Sequence, residues 1–249
     1  VAQAVLLSGD IAWAYWVLAL LILPVAVVLL RLPSPAAQSE GEVTSNDDVV
    51  RMRARVNGVL VALVAVFYFL YVGSEGSFGD WIATYAKAMN LGNATTAAYL
   101  TSAFWGAMML GRLLSIPIAA RFTPRQVLWG DLVGCLVSVG LIVVWPGSPV
   151  AVWIGTFGAG LFMASIFPTV LSFAERYMTI TGKITGWFFV GGSTGGMTLP
   201  WLIGQLFESV GPRVTVFAIL TGVALDLAVF GTMLFYIAKH NLRVNQRVQ

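Results

Sequence analysis

Long apolar stretches dominate this sequence, and they restrict the possible folds more than any other feature. About 20 apolar residues, rising roughly 1.5 Å each, carry a helix across the hydrocarbon core of a bilayer. Windows of that kind occur at 11–30, 58–86, 97–120, 127–145, 150–174, 184–207 and 214–238. Only 10% of the residues are charged, against about 25% in a soluble domain. The sequence therefore predicts an all-α membrane protein with seven transmembrane helices.

The basic residues indicate how these spans are oriented. Of the 14 lysines and arginines, eleven fall on one side of the predicted array, two on the other, and Arg112 within the third span. The side richer in lysine and arginine is normally cytoplasmic. We therefore expect the C-terminus in the cytoplasm and Asn93, in an Asn-Ala-Thr sequon, in an outer loop. There it is either a glycosylation site or a chance triplet.

Changes in composition divide the chain into four parts. A transmembrane helix at 1–31 is followed by a polar, acidic linker at 32–56, a six-helix unit at 57–240 and a polar tail at 241–249. The chain enters an apolar span almost at once and does not begin with methionine. We therefore expect it to be the later part of a longer protein.

The last six spans contain an internal repeat. A shift of 85 residues gives the pairs Gly73–Gly158, Phe104–Phe189, Gly106–Gly191, Gly111–Gly196 and Phe122–Phe207. The repeat unit is three spans, an odd number, so its two copies must cross the membrane in opposite directions. The pattern predicts an inverted 3+3 repeat, which is typical of secondary transporters.

The segment YVGSEGSFGDW, residues 71–81, places Glu75 among three glycines in the second span. An ionisable side chain at mid-membrane is disfavoured by roughly 3 kcal/mol and usually faces a cavity or a partner. The fifth span, which the repeat pairs with the second, contains three glycines and Pro168. Interrupted spans at corresponding positions point to a substrate site. We therefore expect both spans to be broken and to line a cavity, and the glycines of the third and sixth spans to allow close helix packing.

Several motifs resemble the major facilitator superfamily. The run Gly111-Arg112-Leu113-Leu114, continued by Ala119, Arg121, Pro124 and Arg125, is similar to the cytoplasmic motif between helices eight and nine. It departs from that motif at Ala120, where an aspartate is usual, and at Thr123, where a glycine is usual. The segments 71–81 and 186–212 resemble the branch of fucose permeases, sodium-dependent glucose transporters and fungal bypass-of-stop-codon proteins.

The resemblance implies that the chain is helices six to twelve of a twelve-helix transporter. In such proteins helices seven and ten line the C-terminal side of a central cavity between two six-helix halves. The implied function is alternating-access transport of a small polar solute, most simply a monosaccharide, coupled to a proton or sodium ion. The implied partners are the N-terminal half of the same transporter, the sugar and the lipid bilayer, with no nucleic acid and no cofactor. The expected location is the plasma membrane.

A sugar site needs groups that bind hydroxyls and an aromatic plane for the ring. Glu75 is the candidate for hydroxyl binding or cation exchange, and Ser165 and Thr169 are candidates for the polar wall. The candidate aromatic residues are Tyr71, Trp81, Trp105, Phe162 and Trp187. Each aromatic residue could equally pack in the core or face lipid.

Three charged residues are candidates for a gate. Asp131 is placed near the cytoplasmic start of its span, where Arg112 or Arg121 could pair with it if their helices are neighbours. Asp226 falls at mid-depth of the last span, and the sequence gives no account of it. One cysteine and one histidine are too few for a zinc site or a Cys/His nucleophile, so neither metal binding nor enzymatic activity is expected.

Two readings without transport remain open. A seven-helix receptor has the same topology, but no lysine lies in the last span to hold a retinal and only one cysteine is present. A transporter-derived protein kept for its interactions is the other reading, since one half of a cavity does not transport alone.

Overall fold

The computed structural model describes residues 47–240, with side chains from residue 58, and residues 16, 20, 22–24, 27 and 28. Most of the first predicted span and the predicted tail at 241–249 lie outside the described residues. The chain divides into the compact units Val1–Asn46 and Asp47–Gln249. The description below concerns the second unit by itself.

This unit is built from α-helices throughout its described part. They are α1 (Asp47–Ala88), α2 (Ala94–Arg121), α3 (Pro124–Val144), α4 (Pro149–Met163), α5 (Ile166–Glu175), α6 (Gly182–Val210) and α7 (Val214–Lys239). Helices α4 and α5 are the two halves of the fifth predicted span. Helix α1 begins at Asp47, so the last ten residues of the predicted linker at 32–56 are helical.

Five segments in the described part are long and apolar enough to cross a membrane. They are Gly58–Ala88, Ala94–Arg121, Pro124–Val144, Pro149–Glu175 and Val214–Lys239. Helix α6 is 29 residues long, but its glycine and hydroxyl residues make it less apolar, and it is not among the five. The described part of the chain is thus all-helical, with several segments able to cross a membrane, and the count of seven spans stays a prediction.

Short polar sequences set where three of the helices begin. Asn93 caps α2 by accepting a hydrogen bond from the backbone N–H of Thr96. Thr123 and Gln126 form a reciprocal capping box at the start of α3, and Ser148 caps α4. Such caps satisfy backbone N–H groups that have no partner inside the helix.

Helix α1 is central to the packing, with its largest interfaces against α6 and α7. Gly191 and Gly195 of α6 lie directly against the backbone carbonyls of Ala65 and Phe69 on α1. On α2, Gly111 approaches the Leu161 carbonyl of α4, at 2.5 Å from the position a Cβ would take. The predicted packing role is confirmed for these three glycines, whereas Gly106 has no neighbouring atom within 4 Å of that position.

The prediction that the second span is broken was wrong. Helix α1 is continuous through Gly73, Gly76 and Gly79. Gly73 makes room for α6, with the Gly195 carbonyl 2.8 Å from the position of a Cβ, and Gly79 makes room for the Trp105 ring, also 2.8 Å away. Two of these glycines therefore serve close packing, which requires no break in the helix.

Candidate functional site

The fifth predicted span is interrupted at its middle. Helix α4 ends at Met163 and α5 begins at Ile166. Pro168 lies in the first turn of α5 and has no N–H to donate to the Ala164 carbonyl, four residues earlier. The predicted break in this span is confirmed.

Two tyrosines of α1 hold the two ends of this break. The Tyr71 hydroxyl donates to the Met163 carbonyl at 2.8 Å, and the Tyr68 hydroxyl donates to the Phe167 carbonyl at 2.9 Å. Tyrosines three residues apart share one face of a helix, so a single face of α1 bonds both sides of the break. A buried carbonyl without a donor is costly, and these bonds stabilise the broken geometry.

The third contact with the break comes from α3. The Ser165 hydroxyl, between α4 and α5, donates to Oδ2 of Asp131 at 2.5 Å. Both side chains are buried. The predicted pairing of Asp131 with Arg112 or Arg121 was wrong in this conformation, because Asp131 points into the bundle towards Ser165 while both arginines are exposed. Asp131 therefore helps to stabilise the break between α4 and α5.

Glu75 lies one helical turn after Tyr71 on α1 and is half-buried. Its carboxylate interacts with the Tyr71 side chain and with the charge of Arg112 on α2. A partly accessible carboxylate thus lies next to the tyrosine that bonds the α4 terminus.

The predicted aromatic residues do not form one wall. Trp105 and Trp187 are exposed, at 44% and 55% of their surface. Trp81 packs against Phe207 of α6, with ring centroids 5.2 Å apart. Phe162 covers Gly134 of α3. Tyr71 is 2% exposed, which leaves its ring no free face for a ligand.

The two predicted hydroxyl residues have different partners. Ser165 donates to Asp131, whereas Thr169 donates to the Ser165 carbonyl, four residues earlier, at 2.6 Å. Such back-bonding is common in helices. Asn93 is exposed and uses its Oδ1 as the cap of α2, so the sequon has a structural role whether or not it is modified.

Two residues of the interior were missed or left unexplained by the sequence. Tyr68 was not singled out, because a tyrosine in an apolar span resembles core packing until its carbonyl partner is known. Asp226 of α7 is 1% exposed, and its Oδ1 has no hydrogen-bond partner.

Comparison with known proteins identifies relatives of this chain. It is 33% identical over 205 residues to sodium-dependent glucose transporter 1A of Mus musculus, covering 79% of this chain and 46% of that protein. It is 39% identical over 145 residues to major facilitator superfamily domain-containing protein 4A of Danio rerio, covering 57% of this chain and 27% of that protein. The chain spans about half the length, or less, of the curated relatives it matches.

The fold is shared with a solved transporter. The crystal structure of the fucose:proton symporter of E. coli superposes with a TM-score of 0.70 at 19% sequence identity, covering 88% of this chain and 54% of that one. Residues 1–200 match the Major Facilitator Superfamily. The receptor reading is thereby overturned, and the chain belongs to the Major Facilitator Superfamily.

Proposed function

We propose that this chain is the C-terminal part, helices six to twelve, of a transporter that moves a monosaccharide across the membrane by cation-coupled alternating access. The observation that carries the proposal is the position of Glu75, a half-buried carboxylate one helical turn from the tyrosine that bonds the broken helix. The names of its relatives support the choice of solute, since one is a sodium-dependent glucose transporter and the structural neighbour is a fucose:proton symporter.

The helix packing supports the inverted repeat on which alternating access depends. The sequence shift pairs α1 with α4 and α5, α2 with α6, and α3 with α7. Helix α1 packs mainly on α6 and α7, while α4 packs mainly on α2 and α3. The partners of α1 and α4 therefore correspond under the repeat. Close contacts with a glycine recur in both sets, at Gly195 of α6 and at Gly111 of α2.

The site residues divide into two proposed roles. Glu75 binds sugar hydroxyls or exchanges the coupling ion, with Arg112 as the nearby cation that responds to its charge. The exposed rings of Trp105 and Trp187 are the candidates for stacking on sugar. Tyr68, Tyr71 and Asp131 position the break instead of contacting sugar, because their polar groups bond residues 163–167.

In the complete transporter the other wall of the cavity comes from an N-terminal half. We propose a plasma-membrane location with the C-terminus in the cytoplasm, as the distribution of lysine and arginine favours. Asn93 then lies outside the cell, where its sequon is open to glycosylation. A single half supplies one cavity wall, so transport is expected only when both halves are present.

The test is uptake of labelled hexoses by cells that produce the complete protein. We expect saturable uptake above that of control cells, competition by unlabelled sugars, and dependence on a sodium or proton gradient. Surface labelling of the protein controls for its delivery to the membrane. Uptake no greater than in control cells, with the protein present at the surface, for glucose, fucose and other hexoses would contradict a sugar substrate.

A further inference from the structure

The buried carboxylate of Asp226 lacks the partner that such a group requires. It is 1% exposed, its Oδ1 accepts no hydrogen bond, and no basic side chain in the described part of the chain acts on it. A buried carboxylate without a counter-charge is strongly disfavoured. Within the described residues, no group balances this charge.

An unpartnered hydroxyl lies at the interface of α1 and α7, against the turn of α7 that precedes Asp226. The Ser74 Oγ of α1 rests directly on Gly222 of α7, where a Cβ would displace it. Gly222 precedes Asp226 by one helical turn, and helical side chains lean towards the N-terminus over the preceding turn. We therefore expect the Asp226 side chain to lean towards the turn that Ser74 contacts. Ser74 is 1% exposed and its hydroxyl makes no hydrogen bond.

A second oxygen of α1 lies near the same turn. The Leu70 carbonyl is 4.0 Å from the position of a Cβ on Gly222. One carboxylate facing neutral oxygens carries a single negative charge, which matches a monovalent cation. A divalent ion would leave an unbalanced positive charge.

We propose that Asp226 and Ser74 form a site for a monovalent cation, either sodium or a proton, between α1 and α7. The site is separate from Glu75, because positions 74 and 75 are about 100° apart around α1 and Ser74 packs against α7 while Glu75 interacts with Arg112 of α2. This site rests on the proposed function, because it assumes that transport is coupled to a cation. It adds a second cation-binding position to the one proposed at Glu75.

The titratable groups around Asp226 come from two of the helices that pack against α7. From α3, the Cys135 thiol lies within electrostatic range of Asp226, Asp131 and Glu75. The Asp131 carboxylate accepts a hydrogen bond from Ser165. Glu75 is the titratable group on the other helix, α1. None of these groups, as far as the structure describes the chain, supplies a positive charge, which favours a cation from solution.

The test measures cation binding, not transport. The complete protein is purified in detergent, and its thermal unfolding midpoint is followed by tryptophan fluorescence. One arm replaces N-methylglucamine chloride by sodium chloride at equal ionic strength and fixed pH, and the other lowers the pH without sodium. A ligand that binds only the folded state raises the midpoint by mass action.

The unfolding midpoint of the wild type is expected to rise in at least one arm. A rise with sodium chloride identifies sodium as the ion, and a rise at lower pH identifies a proton. Asp226→Asn, which keeps the shape and removes the charge, is expected to lose the shift, and Ser74→Ala to weaken it. Asp80→Asn, at an exposed carboxylate of α1, is the matched control and should keep the full shift. If Asp226→Asn does not fold, Ser74→Ala decides.

Two results would overturn the site: a wild type that responds to neither ion, or an Asp226→Asn protein that responds like wild type. If Asp226→Asn loses the shift but the wild type takes up no sugar, the cation site is retained and the proposed substrate is rejected. If the wild type takes up sugar but Asp226→Asn keeps the full shift, the substrate is retained and the cation site is rejected.

Discussion

The hydroxyl groups of α1 fall into two kinds, those that bond a neighbouring helix and those that bond nothing. Tyr71 donates to the Met163 carbonyl, whereas the buried Tyr85 hydroxyl has no partner. Tyr71→Phe therefore removes a donor from the broken helix and is expected to cost about 1–2 kcal/mol of stability. Tyr85→Phe removes an unbonded polar group, so the same deletion should be neutral or stabilising. Thermal unfolding of the two variants makes the comparison, and equal loss in both would contradict the role given to Tyr71.

A functional role was predictable for a single residue where its type was unusual for its surroundings. Glu75 stands out because a carboxylate among apolar residues needs a reason. The partner of Asp131 was not predictable, because nearby arginines in the sequence favoured an ion pair while the orientation of α3 gave it Ser165. Tyr68 and Tyr71 depend equally on which faces of α1 and α4 meet, and no single-helix pattern contains that information.

At the scale of helices, both glycine and proline proved ambiguous. Pro168 removes a backbone donor at the break between α4 and α5, but Pro117 and Pro200 lie inside the unbroken helices α2 and α6. Glycines allow either a break or a close contact, and in α1 Gly73 and Gly79 serve contacts with α6 and Trp105. The distinction needs the neighbouring helix, which the sequence of α1 does not specify.

The close contacts predict different costs for two glycines. At Gly195 a Cβ would meet the backbone of Phe69, and backbone cannot rotate away as a side chain can. Gly195→Ala should therefore separate α6 from α1 and cost about 1–3 kcal/mol. Gly106→Ala, with no atom within 4 Å, should cost nothing because alanine favours helix. The difference in unfolding midpoint between the variants tests this, and a stable Gly195→Ala protein would contradict the packing.

At the scale of the whole molecule, the helix order and the basic residues predict which loops share a side. Gly147, between α3 and α4, is expected outside, and Thr179, between α5 and α6, inside; both are exposed. In intact cells, a membrane-impermeant thiol reagent should label Gly147→Cys and not Thr179→Cys. Cys135 is buried and should give little background. The opposite labelling pattern would reverse the proposed orientation.

The proposed role of Glu75 in sugar transport can be tested by measuring uptake in a neutral variant of the complete protein. Glu75→Gln keeps the size of the side chain and removes its charge, so uptake should be abolished or should lose its dependence on the cation gradient. Asp80→Asn makes the same change at an exposed position of the same helix and should transport like wild type. Both variants should reach the cell surface in normal amounts. Unchanged uptake with unchanged cation dependence in Glu75→Gln would remove Glu75 from the transport site and contradict the account.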